Sequence, residues 1–208
     1  MFGEQICGLD EAGRGPLAGP LVAAAVIFPP DFVFAEKFPR LKFGDSKKMS
    51  ARQREAVWTF IHEFAQTVAV EVIPVEDINL QGIGWANRAV FERLIVAVEA
   101  DRYIVDGNLK LTNLGRKARH VQSVVRADQT EQAVSAASIV AKVTRDRIMQ
   151  ELHINFPVYG WDHNAGYCTR EHLAALREYG LCEHHRRQFV TTALSKGNPQ
   201  LPGLTELH

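Results

Sequence analysis

Apolar positions along this chain fall into short strand-like runs and longer stretches at helical spacing. Residues 4–10 and 20–28 read as two strands. The second is apolar from Leu21 to Phe28, with β-branched Val22, Val26 and Ile27, as suits a central strand. Ser50 is placed to N-cap a helix from Ala51 to about Ala65, with Trp58, Ile61 and Phe64 along one side. Val68 to Val75 alternates and reads as a strand that stops at Pro74. A second helix spans about Trp85 to Ala100, with Val90, Leu94, Ala97 and Val98 as its stripe. Tyr103-Ile104-Val105 forms a short buried strand ending in Asp106-Gly107, and Val121 to Val125 forms another. Good helix formers follow Asp128 as far as about Leu152. A last clear helix starts at Thr169 or Arg170 and runs through Leu173 and Leu176. An early hairpin, irregular alternation and a late helical third predict an α/β layered domain with a mixed sheet and helices on its faces.

The acids fall at informative places. Asp10 and Glu11 close the first strand and are followed at once by Gly13-Arg14-Gly15. Neighbouring side chains on a regular strand point to opposite faces, so these two converge only if the strand ends or bends there. Glycine makes such a bend cheap and admits a second backbone. Asp106 ends a second apolar strand, and Asp128 opens a helix after a third. Strand ends along one sheet edge are where sites assemble in α/β folds. Carboxylates gathered there suit Mg²⁺ or Mn²⁺, and a two-cation site can act on a phosphodiester. The competing readings are a surface turn with solvated acids for Asp10-Glu11 and a plain helix N-cap for Asp128, since Glu131 stands three residues on as in a capping box. Between Asp106 and Asp128 there is no acid, but there are Lys110, Arg116, Lys117, Arg119, His120 and Arg126, which suggests a phosphate-facing surface. A nucleophile elbow, a Walker A loop and a GxGxxG after the first strand are absent, which weakens acyl-transfer, triphosphatase and dinucleotide readings.

Composition narrows the setting. The chain has 208 residues, 46% hydrophobic and 23% charged, with zero formal net charge, so any nucleic-acid surface must be local. Cys7, Cys168 and Cys182 show no metal-type spacing, as expected of a reducing compartment. There is no signal-peptide pattern, and the longest apolar run is far short of the roughly 20 residues that span a bilayer, so a cytoplasmic protein with no membrane partner is expected. The expected organisation is one catalytic domain over residues 1–195, including a helical C-terminal part, and a mobile Pro/Gly-rich tail over 196–208.

Several stretches together resemble ribonuclease HII, the bacterial type 2 ribonuclease H. They are DEAGRGPLAGP (10–20), GDSKKMS (44–50), VDGN (105–108), AD with SAASIVAKVTRD (127–128, 135–146), GYCT (166–169) and EHHRRQF (183–189), in family order over nearly the whole chain. The resemblance implies a ribonuclease-H-like mixed five-stranded sheet flanked by helices, with a small helical C-terminal part. The family's catalytic, metal-binding carboxylates fall on Asp10, Glu11, Asp106 and Asp128, holding two Mn²⁺ or Mg²⁺ ions with substrate bound. Its glycine-arginine-glycine motif falls on Gly13, Arg14 and Gly15, where it senses a ribose 2′-hydroxyl. Its sugar-stacking tyrosine falls on Tyr167, and its serine-lysine pair facing a phosphate falls on Ser46 and Lys47. Arg126-Ala127 replaces the usual Lys-Gly, and Asn164-Ala165 replaces a usual His-Lys, removing positive charge beside Tyr167.

The implied activity is metal-dependent endonucleolytic hydrolysis of the RNA strand in RNA/DNA hybrids, and incision 5′ of single ribonucleotides in duplex DNA, leaving 3′-hydroxyl and 5′-phosphate ends. Reading the 2′-hydroxyl is how a protein tells RNA from DNA. A monomer is expected. Gln200-Leu201-Pro202-Gly203-Leu204 faintly resembles peptides that dock on sliding clamps. The alternatives are a non-cutting hybrid-binding protein and a small-molecule phosphoesterase, disfavoured by the intact acids and by the basic stretches with Tyr167 respectively. For Tyr167 alone, a core aromatic beside Trp161 is the competing reading.

Overall fold

The computed structural model describes residues 3–33 and 49–195. Its centre is a mixed five-stranded sheet in the order β3-β2-β1-β4-β5, as the resemblance implies. β1 (Ile6–Ala12) runs antiparallel to β2 (Leu21–Ile27) and parallel to β4 (Arg102–Asp106), and β4 runs parallel to β5 (Val121–Val124). β3 (Thr67–Ile73) is the other edge. β2 is buried at every position, which its sequence LVAAAVI permits because no residue in it needs water.

Among the described residues the helices of seven residues or more are α1 (Ala51–Phe64), α2 (Val75–Gln81), α3 (Ile83–Ala97), α4 (Gln132–Asn155), α5 (Arg170–Tyr179) and α6 (Arg187–Ser195). α1 starts where the sequence predicts. The Ser50 hydroxyl accepts from the Gln53 N–H, and the Gln53 side chain returns the bond to the Ser50 N–H at 2.8 Å, a reciprocal capping box. α2 is an addition to the sequence reading, which ended a strand at Pro74 and assigned nothing beyond. Pro74 is in fact the N-cap residue of α2, with Glu76 and Asp77 in its first turn, where carboxylates meet the positive end of the helix dipole. α6, which starts at Arg187 near the end of the basic EHHRRQF stretch, is a second addition.

The chain divides into two compact units. The first (Met1–Ala12, Val22–Val72, Asn87–Val143) holds most of the sheet. Its core packs Val57 and Ile61 of α1 and Ala136, Ala137, Val140 and Val143 of α4 with Ala24 and Val26 of β2. Each fully buried valine or isoleucine there contributes about 1.5–3 kcal/mol. β1 meets α4 at Gly8. A Cβ at that position would run into the backbone of Ala133 and Val134, so only glycine lets the first turn of α4 lie directly on the strand. The second unit (Gly13–Leu21, Ile73–Ala86, Thr144–His208) has its own core of Leu17, Ala18, Met149, Trp161, Leu176 and Val190. The tail motif Gln200–Leu204 lies outside the described residues.

One strand boundary differs from expectation in a way that matters. β1 does not end at Asp10. Its pairing with β2 continues through Asp10↔Ala24 and Glu11↔Ala23 to Ala12↔Val22. The parallel ladder to β4 stops at Leu9↔Val105. The strand therefore ends on one side only, and Asp10 and Glu11 lie just past the last rung shared with β4.

Candidate active site

At the end of the β1–β4 ladder Asp10 lies within electrostatic reach of Glu11 and Asp106. Asp10 stands one residue beyond Leu9 on β1, and Asp106 one residue beyond Val105 on β4. Asp10 is only 7% exposed. One of its oxygens accepts from the Glu11 N–H at 2.7 Å, and Ser138 of α4 hydrogen-bonds its carboxylate. Because α4 lies close on β1 at Gly8, Ser138 comes within reach of Asp10. The sequence reading missed Ser138; its one signal was a hydroxyl inside the small-residue run Ser135–Ala141. Burial holds the Asp10 carboxyl well above the ordinary carboxylate range, and the charges of Glu11 and then Asp106 push it further up.

Asp106 and Asp128 are tied through backbone. Asp106 Oδ1 accepts from the Ala127 N–H at 2.8 Å. Asp128 is the next residue, in a 3-10 turn over Ala127–Gln129, and is itself 7% exposed. That turn is entered through Arg126, whose φ of 60° is left-handed and strained for a residue with a side chain. α4 begins only at Gln132, so Asp128 is not its N-cap. The capping-box pattern with Glu131 has no counterpart in the fold.

The arrangement fits a hard divalent cation. Asp10 is a buried carboxylate whose largest influences all favour taking up positive charge. Among the described residues, no group of three or more His, Cys, Asp or Glu side chains forms a ready-made cage. Mg²⁺ does not need one: it commonly uses one or two carboxylates and fills its shell with water and substrate phosphate.

The glycine-arginine-glycine turn belongs to the second unit. Gly13 has a φ of 101°, and a Cβ there would collide with the Arg145 side chain and the Pro20 carbonyl. Gly15 faces open space, and both Arg14 and Gly15 are exposed. Two buried arginines, which lie in the quoted family stretches but were given no role there, fasten the backbone after the turn. Arg145, 1% exposed, donates to the carbonyls of Pro20, Ala165 and Ala18 at 3.0, 3.0 and 2.9 Å. Arg186, fully buried, donates twice to Gly19 O at 2.9 and 2.7 Å, to Pro20 O at 3.0 Å and to Arg14 O at 3.2 Å. Burial, then the neighbouring Arg145 charge, brings the Arg186 guanidinium down to about 9.

Tyr167 is 45% exposed and is not a core residue. The aromatic stacked on Trp161 is Tyr159, with ring centroids 5.1 Å apart. The Arg145 guanidinium stands 6.0 Å from the Tyr167 ring centre. Asn164 is buried: its amide donates to Tyr159 O at 2.7 Å and accepts from Gly166 N–H at 2.8 Å. It shapes the turn that presents Tyr167, and it is not a surface position from which a charge has been lost. Ser46 and Lys47 lie outside the described residues.

A mixed sheet in this order, with acids past the shared rungs of its two central parallel strands, defines a ribonuclease-H-like nuclease. The family model for ribonuclease HII matches residues 7–192. A curated ribonuclease HII from Burkholderia thailandensis is 45% identical over 190 residues, covering 90% of this chain and 84% of that protein. Among solved structures, ribonuclease H2 from Pyrococcus horikoshii matches with a TM-score of 0.75 at 24% identity, over 92% of this chain and 98% of that one. The ribonuclease HII of Archaeoglobus fulgidus, solved in complex with PCNA, matches with a TM-score of 0.77 at 25% identity, over 94% and 98%. The chain belongs to the ribonuclease HII family and is a ribonuclease acting on RNA/DNA hybrids.

Proposed function

We propose that this enzyme cuts the RNA strand of hybrids and also incises 5′ of single ribonucleotides embedded in duplex DNA, with chemistry at Asp10, Glu11, Asp106 and Asp128. The observation that carries the reading is the buried Asp10 carboxylate, held high by burial and by Glu11 and Asp106, at the end of the β1–β4 ladder. Two divalent cations on these side chains, Mg²⁺ or Mn²⁺, would neutralise the phosphate and favour charge build-up on the attacking and leaving oxygens. Glu11 N–H and Ser138 orient Asp10, and Ala127 N–H orients Asp106, so the acids are aimed before substrate arrives. Water attacks the phosphorus on the 5′ side of the ribonucleotide, leaving a 3′-hydroxyl and a 5′-phosphate. Backbone groups of Gly13, Arg14 and Gly15 read the 2′-hydroxyl, the group that separates RNA from DNA. The family resemblance assigns Ser46 and Lys47 to binding a substrate phosphate. These roles suit a cytoplasmic enzyme of ribonucleotide removal and RNA primer removal.

Tyr167 is assigned to the sugar beyond the ribonucleotide, where its exposed ring can stack. Tyr167→Ala is expected to lower kcat/KM on a single embedded ribonucleotide about tenfold or more, the order of one lost stacking contact. A long hybrid offers other registers and should lose less. Tyr167→Phe keeps the stacking face and should be milder on both substrates. Steady-state kinetics on the two substrates, with thermal melts, decide. Equal losses accompanied by a large fall in melting temperature would instead make Tyr167 a structural residue.

The Archaeoglobus relative solved with PCNA supports reading Gln200–Leu204 as a clamp-docking peptide. Truncation after Lys196 should then abolish capture by the cognate sliding clamp while leaving turnover unchanged. Clamp capture that survives truncation would remove the tail from that role.

A further inference from the structure

Behind Tyr167 runs a set of buried hydrogen bonds that the chemistry above does not use. His172 is fully buried and His185 is 1% exposed. His172 Nδ1 lies 2.9 Å from the Tyr167 carbonyl oxygen, which can only accept, so Nδ1 carries the hydrogen. His172 Nε2 receives the Trp161 indole N–H at 3.2 Å, and an indole can only donate. Nε2 is therefore bare, and His185 Nε2, 3.1 Å away, must donate to it. That leaves His185 Nδ1 as an acceptor, filled by the Cys182 N–H at 3.0 Å with the Cys182 sulfur at 3.3 Å. One pair of neutral tautomers accounts for every bond, with the single His172 Nε2 lone pair shared between Trp161 and His185. Burial favours the neutral forms of both; in His185 burial, then the His172 neighbour, brings the value down to about 3.

The two rings link named functional segments. Tyr167 is clamped at both backbone groups: its N–H donates to Asn164 O at 2.9 Å, and its carbonyl accepts from His172 and from the Thr169 N–H at 2.9 Å. His185 is bridged to Ala18, flanked by Gly19 N–H to His184 O at 2.9 Å and Arg186 N–H to Leu17 O at 2.7 Å. Leu17–Gly19 is the segment leaving the Gly13-Arg14-Gly15 turn. Two apolar rings could fill the same space, but they would supply no directional bond to Tyr167.

We propose that His172 and His185 form a positioning relay that locks Tyr167 to the segment leaving the Gly13-Arg14-Gly15 turn, so that the sugar-stacking ring and the ribose-reading backbone keep a fixed separation. The proposal rests on the sugar-reading role given to Tyr167 above. Neither histidine touches substrate; both act through Tyr167.

Two measurements on the full chain test it. Nitrogen-15 NMR of the imidazoles near neutral pH should show His172 protonated at Nδ1 only and His185 at Nε2 only. The reverse tautomers, or a charged ring, would overturn the relay. Kinetics then separate positioning from packing. His172→Asn places an amide N–H where Nδ1 stood but cuts the bond to His185, so it should lose part of the preference for a single ribonucleotide over a long hybrid. His172→Gln replaces Nε2 instead and should lose about tenfold of that preference, the size expected for coupled neighbours. In a Tyr167→Ala background His172→Gln should change the preference no further. Equal losses for the two His172 variants on both substrates, tracking the melting temperature, would show packing only and sink the proposal. If Tyr167→Ala shifts the preference and His172→Gln does not, the relay alone falls. If Tyr167→Ala leaves the preference unchanged, the sugar-reading role falls and the relay's purpose with it, whatever the tautomers.

Discussion

Asp10→Asn and Asp106→Asn should each reduce hybrid cleavage about 10³-fold or more, the scale of a lost transition-state electrostatic contact, without unfolding the protein. Each change removes one negative oxygen at nearly constant volume. For Asp10 the stability sign can be worked out. Its carboxyl binds a proton more tightly in the folded protein than in the unfolded chain, because of burial and then Glu11 and Asp106. Stability from this group is therefore full below the ordinary carboxylate value and is lost as pH rises through the raised value. At neutral pH, without added metal, Asp10→Asn should melt no lower than wild type and is expected to melt higher. Asp128→Asn completes the series. Since α4 starts at Gln132, Asp128 supplies no helix cap, and its substitution should cost activity with little change in the melt. Turnover near the wild-type rate in Asp10→Asn or Asp106→Asn at saturating Mg²⁺ or Mn²⁺ would refute the assignment of the site.

Arg186→Met should produce the largest structural defect. Its fork makes four hydrogen bonds, all to backbone carbonyls, and Gly19 O receives two of them. Methionine fills much of the volume but donates nothing. Each buried carbonyl left without a partner costs about 1–3 kcal/mol, so a loss of about 3 kcal/mol is expected. For a chain of this size that lowers the melting temperature by about 6–12 °C. Lysine should not rescue, because a single ammonium cannot reproduce the planar fork. The defect should also relax the Gly13–Gly15 turn, so discrimination against an all-DNA substrate should weaken at temperatures where the protein is still folded. A melt within a degree or two of wild type would mean that the carbonyls find other donors.

The sheet was legible in the sequence because its strands carry their own signals. LVAAAVI reads as a buried strand and is one, and Ser50 caps the start of α1 as read. Asp10 and Asp106 were legible as acids closing apolar runs, and both stand one residue past the last β1–β4 rung. Harder to see was that β1 runs on past Asp10 to Ala12, because pairing to β2 and pairing to β4 stop at different residues and no local pattern encodes that. Asp128 was misleading for a related reason: Asp-x-x-Glu has the same spacing in a capping box and in a 3-10 turn that precedes the helix. Arg145, Arg186 and the two histidines were out of reach. Their partners are backbone carbonyls and ring nitrogens far along the chain, and a sequence shows only that such residues exist, not that they are buried.

Cleavage of a DNA duplex carrying one embedded ribonucleotide, beside an all-DNA duplex of the same sequence, is the decisive measurement. With Mg²⁺ or Mn²⁺ present, the expected result is a single incision on the 5′ side of the ribonucleotide, with 3′-hydroxyl and 5′-phosphate ends, no cut in the all-DNA control, and no product from Asp10→Asn. An enzyme that cuts long hybrids but leaves the single ribonucleotide intact, or cuts both duplexes alike, would contradict it.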